Sequence, residues 1–240
     1  MSAEAPVANG LRKRLEQVRR TIDDCALRCG RSPSDIALVA VTKTHPLETL
    51  RLALSLGLKD LGENRIQEAE TKIEEVGRNV ARWHLIGHLQ SNKVRRAVKL
   101  FDLIHSVDST SLAQKLDQSC VEEGRAILPA LIQVDLAREA TKSGITEDGL
   151  ALLADTITAS KRLQLNGLMT VPPFFGDPEE VRPFFKRLRR LRDALQSKGC
   201  FGERSGELSM GMSHDFKIAI EEGATIVRIG TALFGARGAA

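Results

Sequence analysis

Eight short apolar runs, three to eight residues each, recur along the chain with segments of helix length between them. They fall at residues 36–41, 58–61, 83–86, 103–107, 127–134, 165–169, 208–210 and 225–229 and are rich in Ile, Val and Leu. Their apolar character is continuous and not strictly alternating, which marks parallel strands covered on both faces. The intervening segments at 46–56, 64–76, 91–100, 109–123, 147–159, 178–198 and 213–222 place apolar residues at helical spacing among charges. Eight such repeats in 240 residues predict the α/β class and a closed (β/α)8 barrel. A doubly wound open sheet shares the alternation and is the competing topology.

One more helix is expected ahead of the repeats. Leu11, Leu15, Val18, Ile22 and Leu27 recur at three- to five-residue intervals through residues 11–29, and Gly30 and Pro33 end the pattern. Only residues 232–240 follow the eighth strand, too few for a full closing helix, so the N-terminal helix is expected to cover that side. Residues 1–10 are small and polar, read as a flexible tail with no secretory apolar segment. Nothing divides the chain, and residues 1–240 are read as one domain.

Composition narrows the function. Lys and Arg number 35 against 31 Asp and Glu, a net charge of +4, which argues against a disordered polyelectrolyte. No apolar run approaches the roughly 18 residues of a membrane span. Cys25, Cys29, Cys120 and Cys200 are scattered as in a protein of the reducing cytosol, with no zinc-site spacing. The run Lys186, Arg187, Arg189, Arg190 and Arg192 raises nucleic-acid binding. Phe184, Phe185, Leu188, Leu191 and Leu195 keep helical spacing through it, so the charges read as the solvated face of a barrel helix. Tyrosine is absent, which removes any mechanism using a phenol from this chain.

In a (β/α)8 barrel the chemistry gathers where strands end and helices begin, and the unusual polar residues fall there. Lys43 follows the first run, where partial burial would lower the pKa of its amine, as a Schiff-base lysine requires. The alternative is a lysine that snorkels to solvent. Ser213 is expected to cap the helix after the seventh run, and Arg228, Gly230 and Thr231 close the eighth. Together these junctions make an anion pocket at the barrel's usual phosphate position. A lysine nucleophile beside a phosphate cradle points to pyridoxal 5'-phosphate.

Seven segments in order carry a resemblance: VAVTKT at 39–44, GENRIQE at 62–68, WHLIGHLQSNK at 83–93, HSVDS at 105–109, GLMT at 167–170, LSMGMSHDF at 208–216 and VRIGTALFGAR at 227–237. On these the chain resembles, along nearly its whole length, the pyridoxal-phosphate homeostasis family, also called the proline-synthetase co-transcribed or alanine-racemase N-terminal-like family. The resemblance implies a Schiff base on Lys43, phosphate contacts at Ser213, Gly230 and Thr231, and Arg228 facing the pyridine nitrogen. Asn64 and Met210 match pocket-lining positions. His45 and Arg65 depart from residues that members often carry, a lysine and a tyrosine.

An arginine opposite the ring nitrogen only donates hydrogen bonds and leaves the ring a poor electron sink. The racemases of this barrel type use a tyrosine from a second domain as their partner acid, and neither is expected here. The expectation is therefore a cytoplasmic, monomeric holder of pyridoxal phosphate that serves cofactor homeostasis without efficient catalysis and hands the cofactor to apo-enzymes. The alternative is a one-domain racemase using His84 or Cys200 as second base. The simpler reading of His84 is a packed strand-end histidine.

Overall fold

The computed structural model describes residues 4–137 and 143–235. Its strands are β1 (Ala37–Val41), β2 (Asp60–Glu63), β3 (Arg82–Leu85), β4 (Leu103–Val107), β5 (Leu128–Gln133), β6 (Leu163–Met169), β7 (Glu207–Ser209) and β8 (Ile226–Ile229). All pair in parallel with their chain neighbours, and β8 returns to β1 through Ala37↔Ile226 to Ala40↔Ile229. That last pairing closes the barrel and removes the open-sheet alternative. Among the described residues the α-helices are α1 (Glu4–Arg28), α2 (Leu47–Ser55), α3 (Ile66–Val76), α4 (Val94–Leu100), α5 (Thr110–Glu122), α6 (Glu147–Thr158), α7 (Arg182–Ser197), α8 (Phe216–Glu221) and α9 (Thr231–Phe234).

The strand expected at 58–61 lies two residues later, at β2. Its pairing starts at Asp60, opposite Val39 and Arg82. A Cβ at Gly62 would approach Val39 Cγ1 to 2.9 Å, so the glycine lets β2 run close beside β1, with Val41 paired to Gly62. Inside the barrel Val39, Leu103, Leu131, Met169 and Ile226 pack together. The larger apolar layer lies between strands and helices and includes Trp83, Phe101, Phe185 and Phe201.

α1 begins at Glu4 and not at Leu11, so residues 4–10 are helical where a flexible tail was expected. A small, polar segment carries no apolar periodicity to signal a helix, and Pro6 sits in the first turn, where a missing N–H costs little. Met1–Ala3 lie outside the described residues. The helix buries Leu11, Leu15, Val18, Ile22, Cys25 and Ala26, whereas Leu27 is 66% exposed on its outer face. It packs on α8 and α9, and Arg14 Nε donates to the carbonyl of Leu233 at 2.5 Å. The N-terminal helix thus covers the side where the last helix is short.

α7 buries Phe185, Leu188 and Leu195 and turns its basic run outward. Arg187 pairs with Glu147, Arg189 with Glu222, and Arg182 with Glu179, Glu221 and Glu222. Much of the run's charge is thus matched by acidic neighbours.

Candidate functional site

The polar residues that stand at strand ends converge on one sector of the barrel mouth, because β7, β8, β1 and β2 are consecutive neighbours. Lys43 follows β1 by two residues and is half-buried. Its loop is held by charged groups from the next repeat. Thr42 Oγ1 donates to Glu63 Oε1 at 2.6 Å, and Lys72 Nζ donates to the Thr42 carbonyl at 2.7 Å. Lys72 also bonds Glu63 at 2.8 Å and Glu68 at 2.7 Å. Glu68 Oε1 in turn accepts the backbone N–H of Thr44 at 2.5 Å. Thr44 has φ 64°, and it is the one described non-glycine residue in the left-handed region. A β-branched residue holds that conformation only when its surroundings fix it.

Glu63 is fully buried, and burial pushes its carboxyl above the usual range against the pull of Lys72. Its Oε2 has no partner. Beside this clamp, a cavity of about 640 Å³ is lined by Asn64, Arg65, Ile66, Gln67, Glu68, His88, Gln90 and Lys93.

Across the mouth, Ser213 does not cap α8 as expected. Asp215 occupies the N-cap position, and its Oδ1 accepts the Met212 N–H at 2.6 Å. The chain makes a further turn before the helix starts, which leaves the Ser213 hydroxyl directed at the loop after β8. There Ser213 Oγ accepts the N–H groups of Gly230 at 3.3 Å and Ala232 at 3.1 Å. Two amides and a hydroxyl therefore gather at one point, a donor set suited to an anion. At Gly230 a Cβ would meet nothing nearer than Val41 Cβ at 3.5 Å. Thr231 is exposed at the first position of α9.

Arg228 points into the barrel from β8 and is 3% exposed. Nη1 donates to Ser209 Oγ at 2.6 Å and Nη2 to the Thr170 carbonyl at 2.8 Å. Burial lowers its pKa to about 10, which leaves the guanidinium charged at neutral pH. The donor set as a whole fits pyridoxal phosphate: a half-buried amine, an anion cradle and a buried, fixed cation.

A match to the alanine racemase N-terminal domain spans residues 14–238. The pyridoxal phosphate homeostasis protein of Aquifex aeolicus is 42% identical over 94% of this chain and 97% of its own length. The chain belongs to the pyridoxal phosphate homeostasis protein family. The Escherichia coli K12 relative is 40% identical over 95% of this chain and 97% of its own. PipY of Synechococcus elongatus, solved with PLP bound, superposes with a TM-score of 0.81 at 36% identity over 94% of this chain and all of its own. Alanine racemase of Corynebacterium glutamicum shares the fold at 17% identity, with a TM-score of 0.73 over 96% of this chain and 62% of its own.

Within this family member, sequence reasoning located Lys43, Asn64, Ser213, Arg228, Gly230 and Thr231 at one end of the barrel. Asn64 follows β2 and its backbone lies hard against Gly87, where a Cβ would come within 2.3 Å of the Asn64 carbonyl oxygen. Met210 is fully buried and belongs to the larger apolar layer, not to the cluster inside the barrel. Ala236 and Arg237, at the end of the last resembling segment, lie outside the described residues. His84 is 1% exposed with both ring nitrogens hydrogen-bonded, which fits the packed strand-end reading. Cys200 lies in a cavity with Leu163, Gln164 and Leu165 at the start of β6, the opposite end of the barrel from Lys43. Burial raises its thiol pKa.

Two groups of residues escaped the sequence reading. The first is Glu63, Glu68 and Lys72: Glu63 ends the second strand and shares a resembling segment with Glu68, but no role was expected of them, and the i,i+4 spacing of Glu68 and Lys72 was the only signal of an ion pair. The second is His105 and Ser209. Their signal was a polar residue within a continuous apolar run that would otherwise read as buried on both faces.

Proposed function

We propose that this protein holds pyridoxal 5'-phosphate at the barrel mouth through Lys43 and serves intracellular cofactor homeostasis, without efficient catalysis. Bound there, pyridoxal phosphate supplies an aldehyde that condenses reversibly with an amine, forming a C=N bond and releasing water. Lys43 offers that amine, and the clamp of Glu63, Glu68 and Lys72 fixes the backbone on either side of it. Ser213, with the amides of Gly230 and Ala232 and the neighbouring Thr231, would receive the phosphate. Arg228 would donate to the ring nitrogen and hold it unprotonated. Asn64 would line the pocket beside them, and Met210 would back it from the apolar layer. The observation that carries this reading is the convergence of Ser213 with Gly230 and Ala232 at the strand neighbouring that of Lys43.

Efficient racemisation needs a second acid–base group poised near the reacting carbon. The 240 residues contain no tyrosine. Both nitrogens of His84 are engaged, and burial lowers the pKa of its imidazole. Cys200 lies at the far end with its thiol pKa raised. The role that fits is reversible storage, with release from an open mouth to apo-enzymes in the cytoplasm by a monomeric protein.

Purified protein incubated with pyridoxal phosphate is expected to develop a visible absorbance band, which Lys43→Ala abolishes. Ser213→Ala should keep the band but weaken binding about tenfold, the scale of one lost hydrogen bond to a charged group. A wild type that stays colourless refutes the cofactor reading. Racemase turnover at the rate of a dedicated enzyme refutes the non-catalytic part.

A further inference from the structure

Arg228 is the near end of a polar chain that crosses the barrel. Ser209 Oγ lies 2.9 Å from His105 Nδ1, His105 Nε2 lies 2.9 Å from His84 Nδ1, and His84 Nε2 lies 2.9 Å from Asp60 Oδ1. With the 2.6 Å contact from Arg228 to Ser209, five residues of β8, β7, β4, β3 and β2 form one continuous path. His105 and Ser209 have no solvent exposure, and His84 has 1%. Asp60 opens β2 and is 25% exposed on its side chain, on the rim of a cavity with Pro33, Gly57 and Lys59 at the foot of the barrel. The path therefore leads from the cofactor end to solvent at the other end.

Its two ends fix the direction of every hydrogen in between. A guanidinium only donates, so Ser209 Oγ accepts from Arg228 and its own proton is available to His105 Nδ1. His105 then carries its proton on Nε2 and donates to His84 Nδ1, and His84 carries its proton on Nε2 and donates to Asp60. The reverse order would set an unprotonated His84 nitrogen against a carboxylate oxygen, two acceptors face to face. Burial lowers the pKa of His84, and lowers that of His105 well below the usual range, so both rings are neutral, as this order requires. The charged groups facing the pair are Asp60, Arg82 and Asp102 around His84, and Arg228 and Arg82 around His105. Arg82 also lies 3.9 Å from Asp60.

We propose that Asp60 is a positioning residue for the cofactor site, acting on Arg228 from the opposite end of the barrel through the one-way chain His84–His105–Ser209. Aligned donors polarise one another, so the Asp60 carboxylate supports the cation and locks the plane of the guanidinium. The field at the ring nitrogen is thus set in part by a residue that never touches the cofactor. The inference rests on the cofactor reading above for its consequence, but not for the chain itself.

The test has two arms. In the first, ¹⁵N-imidazole NMR of the protein without cofactor at pH 7.5 should show His84 and His105 as neutral rings protonated on Nε2. A ring protonated on Nδ1, or on both nitrogens, at that pH overturns the chain. In the second, Asp60→Asn retains an acceptor for His84 but removes the charge. The pH midpoint of the band formed with pyridoxal phosphate should then fall by about half a unit, the scale of one charge acting through a protein interior. Ser209→Ala, which cuts the path beside Arg228, should shift it the same way. A band that forms normally in both variants with an unmoved midpoint overturns the positioning role and leaves the cofactor reading intact. A wild type with no band overturns the cofactor reading, while the first arm still decides the chain.

Discussion

Two buried polar clusters flank the loop of Lys43, and they are built on opposite principles. Inside the barrel, the path from Asp60 to Arg228 keeps its charges at the ends and fills the middle with neutral imidazoles and a hydroxyl. In the layer between β2 and α3, Lys72 touches Glu63 and Glu68 directly, with charges side by side and Glu63 fully buried. The first cluster spans several strands and orients a side chain. The second is local and fixes a backbone, because its contacts end on the Thr42 carbonyl and the Thr44 N–H. Separated charges with neutral relays transmit orientation over distance, whereas adjacent charges make a stiff but costly joint.

The largest expected effect breaks the joint. Lys72→Met leaves Glu63 and Glu68 without their shared cation. Removing one partner of a buried ion pair costs about 3–5 kcal/mol, and urea denaturation at pH 7 should register a loss of that order. A double variant, Glu63→Gln with Lys72→Met, should recover at least half of it, since no uncompensated carboxylate then remains at that position. Equal losses in the single and double variants would show that packing of the lysine stem, and not charge, holds the loop.

The interior path should answer to pH instead. The folded pKa values of His84 and His105 lie below the unfolded value, so below about pH 6.5 the unfolded chain binds protons that the native state refuses. Stability therefore falls as pH drops through that range, by up to about 1.4 kcal/mol per pH unit for each histidine. Glu63, Asp108 and Asp215 have raised pKa values and act in the opposite sense as pH falls through them. The decisive quantity is thus the difference in slope between wild type and His105→Gln, measured by denaturation at pH 7, 6 and 5. The variant should show the smaller slope. Identical slopes would mean that His105 takes up a proton in the folded state, contrary to a neutral path.

The contrast also explains what the sequence made legible. Strand positions and barrel closure follow from apolar runs and their spacing, and Lys43, Ser213 and Arg228 stood out because polar residues at strand ends break those runs. The clamp did not stand out, because Glu68 and Lys72 look like an ordinary surface pair on an amphipathic helix. Only the packing of α3 over the end of β2 turns Lys72 inward. The path across the barrel was hidden for a related reason. His84, His105 and Ser209 are far apart in sequence, and barrel closure with its strand stagger decides which inward residues share a layer. Ser213 was singled out, but the capping part of its expected role fails, because an extra turn before α8 separates it from that helix and Asp215 takes the N-cap position.

The smallest expected effect sharpens the distinction between a joint that stabilises the fold and one that places the lysine. Thr44 at φ 64° carries a penalty of about 1–2 kcal/mol relative to a relaxed residue, and glycine would relieve it while adding about 0.5–1 kcal/mol of unfolded-state entropy. Thr44→Gly should therefore leave stability within about 1 kcal/mol of wild type, on the stabilising side, as thermal denaturation would show. If the Glu68 contact serves chiefly to hold that backbone geometry for Lys43, the same variant should react with pyridoxal phosphate more slowly, because a glycine loop samples conformations the threonine forbids. A stable variant with slowed band formation would assign the strain at Thr44 to placement of the amine. A stable variant with unchanged rates would assign the clamp to the fold alone, and the difference in purpose between the two clusters would then vanish.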